Sequence, residues 1–439
     1  MFTLTVVAAI AAFALYGLKH PWIGVLGWTW VSLMNPHALT WRLSGAPVAA
    51  VMAVSTLIGL LATRDRRDFS FSREMVFLAL FMAWMCITLP FSVVFDPSYA
   101  LWNRVMKIDL MILVALFVLY SRQHIMMLAW VVAGSVGIYG VKGGLFTIAT
   151  GGSYRVWGPD GTYIYGNNEV ALALVMTIPL MRFLQMTTDK AWVKRALMAS
   201  MLLCAAAAVG SQSRGALLAI SAMATVMWWR GPNRLRSGLL MLLLGVLLVI
   251  FMPDTWSDRM STIKTYDQDD SANQRLNAWS MAWNIAKDRL FGAGFMVSVP
   301  EVCLQYSPIP TDCRAAHSIY FMVLGEHGFI GLALFLTFWF LVWRSAGRLR
   351  LDAAKRPETQ WLAPLGAMAQ VSLAGYAVGG AFLSLSYYDL PYNVMVLVVL
   401  GRRWMAREAW TQEAAVEKAE QPGAKANGKT SLQARMGVG

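Results

Sequence analysis

Chemistry in this chain starts with a histidine. His317 and Ser318 stand where the polar stretch TDCRAA gives way to the apolar run IYFMVLGEHGFIG. Histidine titrates near neutrality, so at a wet boundary its neutral ring can accept the proton of a hydroxyl nucleophile. Four arginines, Arg155, Arg214, Arg275 and Arg314, fall in segments that border apolar runs. Guanidinium forks match phosphate oxygens two at a time, so several converging on one cavity suit a pyrophosphate or lipid phosphate. Tyr154, Trp157, Tyr163, Tyr165, Trp279 and Trp283 offer flat faces for sugar rings. Each residue also has an ordinary explanation. A histidine at a membrane boundary can simply bond a headgroup, an arginine can pair with Asp254, Asp258, Asp269 or Asp270, and aromatics collect at membrane interfaces anyway.

Other chemistries find little support. YDQDD (266–270) lacks the alternation and closing glutamate of a calcium loop, so no metal is expected there. There is no P-loop, no Cys/His zinc spacing and no serine elbow, so neither nucleotide, metal nor other cofactor is expected.

The elements that must position these residues are membrane helices. Of 439 residues, 57% are hydrophobic and only 14% charged, far from the composition of soluble domains. Long apolar runs recur along the chain, predicting about twelve transmembrane helices and excluding an outer-membrane barrel of short alternating strands. The expected architecture is an all-α, polytopic integral membrane protein with membrane helices over 1–252, an outer helical loop over 253–316, C-terminal membrane helices over 317–404 and a disordered tail over 405–439. The net charge of +13 is read through the loops that hold it, and it implies no nucleic acid. RDRRDFSFSR (64–73), the 182–195 turn, RGPNRLR (230–236) and the 344–356 segment carry the positive excess and are assigned to the cytoplasm. Alternation then puts 35–45, 96–104, 150–167, 210–213, 253–316 and 386–390 on the other face, with His317 and all four arginines.

Several finer expectations follow. SANQRLNAWSMAWNIAKDRLFGAG reads as an amphipathic helix with Leu276, Trp279, Trp283 and Ala286 on its apolar face, capped by Ser271 or Asn273 and closed by Gly292 and Gly294. On a continuous helix from His317, positions 317, 324, 328 and 331 share one face, the two glycines admitting a neighbouring helix. Cys303 and Cys313, ten residues apart in the outer loop, suit a disulfide, whereas Cys86 and Cys204 read as packing residues within helices. Asp389, in the turn SYYDLPY, is a secondary site candidate expected to open onto the same outer surface, as are Arg314 and Tyr154. Lys107, Asp109 and Lys142 lie within apolar runs, where a buried ion pair is the simplest account.

HSIYFMVLGEHGFIG fits the pattern H-[NSQ]-x9-G-x2-[GTY], with His317, Ser318, Gly328 and Gly331 at its fixed positions. With the large loop before it, SQSRGA on an earlier helix and a QRxxxW segment, the chain resembles bacterial O-antigen ligases. KHPWIGVLGWTWVSLMNPHALTW and YRVWGPDGTYIYGNNEVALAL look like the exosortase-associated O-glycosylation ligases of that superfamily. The resemblance implies a multi-pass enzyme of the bacterial inner membrane that works on the periplasmic face. It would take a glycan from an undecaprenyl-pyrophosphate-linked donor and join it to a lipid A-core acceptor among the membrane lipids, without metal or nucleotide. It further implies His317 as catalytic base, Arg214 and Arg275 as pyrophosphate holders and Arg155 as an assisting group. Sister activities with the same donor, a polymerase or a protein O-oligosaccharyltransferase, differ in the acceptor. A transporter or flippase is a more distant alternative, disfavoured by the asymmetric outer loop and the lack of an internal repeat.

Overall fold

The computed structural model describes residues 2–40, 43, 45–63, 70–230, 235, 238, 239, 270–411 and 413. Among these the chain is helical throughout, with no strand. Among the described residues nine helices precede the outer loop: α1 (Phe2–Lys19), α2 (Pro21–Met34), α3 (Val48–Ala62), α4 (Arg73–Thr88), α5 (Phe95–Val118), α6 (Arg122–Ala149), α7 (Asn167–Thr187), α8 (Ala191–Gly210) and α9 (Arg214–Arg230). The loop contributes α10 (Asp270–Asp288) and the short α11 (Pro300–Tyr306), and α12 (Ile319–Ala353), α13 (Leu362–Gly379) and α14 (Asp389–Ala406) complete the fold. Residues 240–252 of a further apolar run, the first four residues of YDQDD and most of the tail lie outside the described residues.

Six helical stretches among the described residues are long and apolar enough to cross a membrane: Arg73–Phe91, Arg122–Ala149, Asn167–Thr187, Ala191–Gly210, Ile319–Ala353 and Leu362–Phe382. The chain is therefore a multi-pass, all-helical membrane protein. α1 and α3 are apolar but shorter. α5 is long enough, but Asp96, Arg104, Lys107 and Asp109 interrupt it. It also starts earlier than expected: 96–104, read as an outer loop, is its first part.

Helix starts follow from local chemistry. Ser72 accepts a hydrogen bond from the Met75 amide at the head of α4, and Ser121 does the same for His124 at the head of α6. Each satisfies an amide that the first helical turn leaves without a partner. Close packing follows from small residues. A Cβ on Gly144 of α6 would lie 2.3 Å from the Leu203 carbonyl of α8, so only glycine allows these two helices to meet. Cys204 is buried in the same contact, whereas Cys86 is exposed on α4 rather than packed inside.

α14 forms the centre of the bundle. Every residue from Asp389 to Gly401 is buried, with α2, α5, α6, α12 and α13 around it. A helix apolar on all sides belongs in a core. On the outer side α10 lies along α12, and Met281 and Ile285 pack with Val302, Cys303 and Tyr306 of α11.

Candidate functional site

The site is assembled from the heads of α7, α9 and α12 and the loops that precede them. At the head of α9, Ser213 accepts a hydrogen bond from the Ala216 amide at 3.1 Å and sets the start of the helix at Arg214. The preceding turn is buried: Ser211, Gln212 and Ser213 are all shielded from solvent. Gln212 takes a positive φ of 55°, donates to the Gly152 carbonyl at 3.2 Å and accepts from Arg155 Nε at 3.3 Å. Asn167, first residue of α7, donates to the Ser211 carbonyl at 2.8 Å. The 150–166 loop, the α8–α9 turn and the head of α7 are thus one hydrogen-bonded unit carrying Arg155, Arg214 and Glu169.

His317 arrives from the loop side. It precedes α12 instead of beginning it: Ser318 is the cap, accepting from the Phe321 amide, and the helix opens at Ile319. His317 itself has φ of 43°, a left-handed conformation that is uncommon for a residue with a side chain and that gathers at sites held by their surroundings. Trp279 of α10 supplies part of that hold, donating from Nε1 to the Ala316 carbonyl at 2.7 Å and stacking on Phe321 with ring centroids 4.9 Å apart. Partial burial lowers the His317 pKa, and the nearby Arg275 and Arg314 cations lower it further, so the ring is neutral at pH 7. Arg275 acts electrostatically on Glu169 as well as on His317. Phe382 connects the two halves: its ring is 6.4 Å from that of Trp279, and its Cβ is 3.8 Å from where a side chain on Gly215 would begin. The arrangement places a neutral imidazole within electrostatic range of Arg275 and Arg314, a set suited to proton removal beside an anionic group.

Other candidates sit differently. Arg314 is largely exposed and pairs with Asp312 of its own loop at 3.5 Å, while the side chains of the four aspartates anticipated as arginine partners lie outside the described residues. Tyr154 is exposed, its ring 6.5 Å from Phe146. Asp389 does not open onto the outer surface: it is buried at the head of α14, within reach of Ser32. Cys303 and Cys313 are joined as a disulfide. α10 starts at Asp270, so Ser271 and Asn273 lie inside it, and its buried stripe is Ala278, Met281, Ala282 and Ile285, with Ala286. Leu276 and Trp283, assigned to the apolar face, are about half exposed, because that helix buries itself against α11 and α12.

The expected single face through His317, Gly328 and Gly331 does not form either. Gly328 has φ 68° and ψ −170°, which breaks α12 into an outer and an inner part. The break frees three carbonyls, and each is taken up: Gly325 accepts from the Ala293 amide at 2.9 Å, Glu326 from the Gly294 amide at 3.1 Å and His327 from Trp84 Nε1 at 2.9 Å. A Cβ at Gly328 would lie 2.4 Å from the Leu290 carbonyl, so what approaches this glycine is the 289–294 loop and not a helix. Beside the break lies a buried polar group absent from the sequence expectations. His327 Nδ1 is 2.8 Å from Thr88 Oγ1 and its Nε2 is 2.9 Å from the Tyr387 hydroxyl, which donates to Glu326 at 2.5 Å. The second Glu326 oxygen accepts from the Met296 amide at 3.0 Å. A charged and a titratable residue side by side in an apolar run, flanked by Gly325 and Gly328, were the available signal.

Comparison with known families gives two matches. Residues 199–336 match the O-antigen ligase family, and residues 1–189 match a family of unknown function (DUF5935). The first match covers Arg214, Arg275, Arg314, His317, the disulfide and the outer part of α12; the second covers Tyr154, Arg155 and Glu169. A search of curated proteins returned no match.

Proposed function

The chain is a member of the O-antigen ligase family, a lipid-linked glycan ligase type, and from that premise we propose a specific reaction. The enzyme takes a glycan from undecaprenyl pyrophosphate on the periplasmic face of the inner membrane and joins it to a hydroxyl of lipid A-core. The bundle crosses the membrane about twelve times, the basic loops lying in the cytoplasm. Catalysis is one inverting displacement: His317 removes the proton of the acceptor hydroxyl as its oxygen attacks the anomeric carbon, and the pyrophosphate leaves with the bonding pair. Arg214 and Arg275 stabilise the charge growing on that leaving group and Arg155, held by Gln212, orients it. The bond energy resides in the donor, so the reaction calls for no nucleotide. The observation that carries the reading is the placement of His317: half-buried at φ 43°, on a backbone held by Trp279 at the Ala316 carbonyl, and within electrostatic range of Arg275. It puts a base and a cation within electrostatic range of each other, so that they can flank a sugar carbon attacked on one side and left on the other.

The test is reconstitution of the purified chain with undecaprenyl-pyrophosphate glycan and lipid A-core, in chelator and without nucleotide, read as a mass shift of the acceptor. A shift is the expected outcome. Glycan found instead on a peptide, or on a second donor glycan, would move the protein to a sister activity with the same donor. A mass shift seen only with added metal would overturn the metal-independent mechanism.

A further inference from the structure

A cavity of about 600 Å³ opens between α2, α3, α5 and the 161–164 loop. The geometry points to a binding site for one lipid with a phosphate-bearing head. Its two walls are graded along the helix axes. On α5, Arg104, Lys107 and Met111 follow at spacings of three and four and therefore share a face, passing from charge to hydrocarbon. On α3, Ala49, Ala53 and Leu57 line the cavity at spacings of four, two small residues recessing the wall beside the polar end and a larger one beyond. The cavity is thus polar at the end closed by the connecting loops, where His37 and Tyr163 stand, and apolar where the helices run inward.

Three observations favour an anion at the polar end. Arg104 and Lys107 make no ion pair with a described residue, and neither does Asp109, so the buried pair expected from the sequence does not form. Both cations are exposed to the cavity region, with Arg104 lying over the Tyr163 ring at 5.8 Å. Three buried polar atoms on lining residues, His37 Nδ1, the Tyr163 hydroxyl and the Tyr388 hydroxyl, have no hydrogen-bond partner among the described residues. Two neighbouring cations repel each other, and in a setting drier than bulk water an oxyanion between them relieves that repulsion and accepts their hydrogen bonds. A free phosphate would leave the apolar wall unused, whereas a lipid fills both ends, its remaining chain extending into the bilayer. The cavity shares the 150–166 loop with the candidate site but contains none of His317, Arg155, Arg214 or Arg275, and a binding experiment tests it independently of transfer.

The full chain, purified in detergent, is photolabelled with a diazirine-bearing polyprenyl phosphate and, separately, with a diazirine-bearing phosphatidylglycerol. Each is compared with its counterpart lacking phosphate. Labelling is expected on peptides from α3 and α5, about tenfold above the neutral counterpart and reduced about tenfold in Arg104→Gln/Lys107→Gln, as loss of charge-assisted phosphate contacts predicts. Labelling by the polyprenyl phosphate alone identifies a carrier lipid, and labelling by phosphatidylglycerol identifies a membrane phospholipid; either supports the site. Equal labelling by charged and neutral lipids, labelled peptides confined to other helices, or an unaffected double variant would overturn it. If the double variant does not fold, the charged and neutral lipids on the wild-type chain decide the matter.

Discussion

His317 and His327 belong to one short stretch of sequence yet occupy opposite surroundings. His317 is half-buried, lies outside any helix, has a strained backbone and takes its electrostatic character from Arg275 and Arg314. His327 is fully buried, and both of its ring nitrogens face hydroxyls. An imidazole with both nitrogens engaged has no lone pair to offer a substrate, so it serves the fold. An imidazole kept neutral at an open edge can serve a reaction. Residue type alone does not separate the two; their partners do.

The sharpest way to break this contrast is substitution of each histidine. His317→Ala is expected to lower turnover by about 10²–10⁴-fold in the reconstituted transfer assay, the range for loss of a general base, while the melting temperature stays near wild type. Normal turnover would remove His317 from the chemistry. Arg275→Gln comes next, with a loss of about 10²-fold or more in kcat and a smaller change in donor binding, as for removal of one group that stabilises transition-state charge. His327→Ala reverses the pattern. It is expected to cost about 2–4 kcal/mol of stability, from a cavity and from orphaned Thr88 and Tyr387 hydroxyls, with kcat per folded molecule nearly unchanged. If its kcat collapsed while stability held, the division between the two histidines would be wrong.

A subtler prediction concerns pH. The base is the neutral ring, and the folded His317 pKa lies below the ordinary 6.5. Transfer is therefore flat around neutrality and falls only as pH drops through that depressed value. Desolvation is the largest cause and the two arginines add to it, so Arg314→Gln moves the acid limb modestly toward higher pH. Its effect on stability is expected within about 0.5 kcal/mol, since its pair with Asp312 is largely exposed. An acid limb that stays in place on measuring rate against pH would mean that Arg314 does not reach His317.

The sequence made some of this legible. Apolar runs of α6, α7, α8 and α13 stand out by length alone, and the family pattern singles out His317. Charged helices were harder: α5 carries the charged residues Asp96, Arg104, Lys107 and Asp109, and its start was misplaced by about ten residues. The face of α10 was misread because tryptophan and leucine were taken to seek the bilayer, while the actual burial is of alanine, methionine and isoleucine against α11 and α12. Gln212 and Glu169 were missed, since a polar residue that fixes a loop carries no spacing signal. The break at Gly328 was missed because nothing in LGEHGFIG distinguishes a glycine that packs from one that takes a positive φ.

That break bears on how the protein is made. Residues 319–353 form an apolar stretch that can enter the bilayer as one unbroken helix, every carbonyl satisfied internally. Opening it at Gly328 in isolation would strand the carbonyls of residues 325, 326 and 327 in an apolar medium. The amides of Ala293 and Gly294 and the indole of Trp84 remove that penalty once the outer loop has folded back onto the bundle. The bend in α12 therefore depends on the docked 289–294 loop and on Trp84, and is built into the molecule only when those donors are in place.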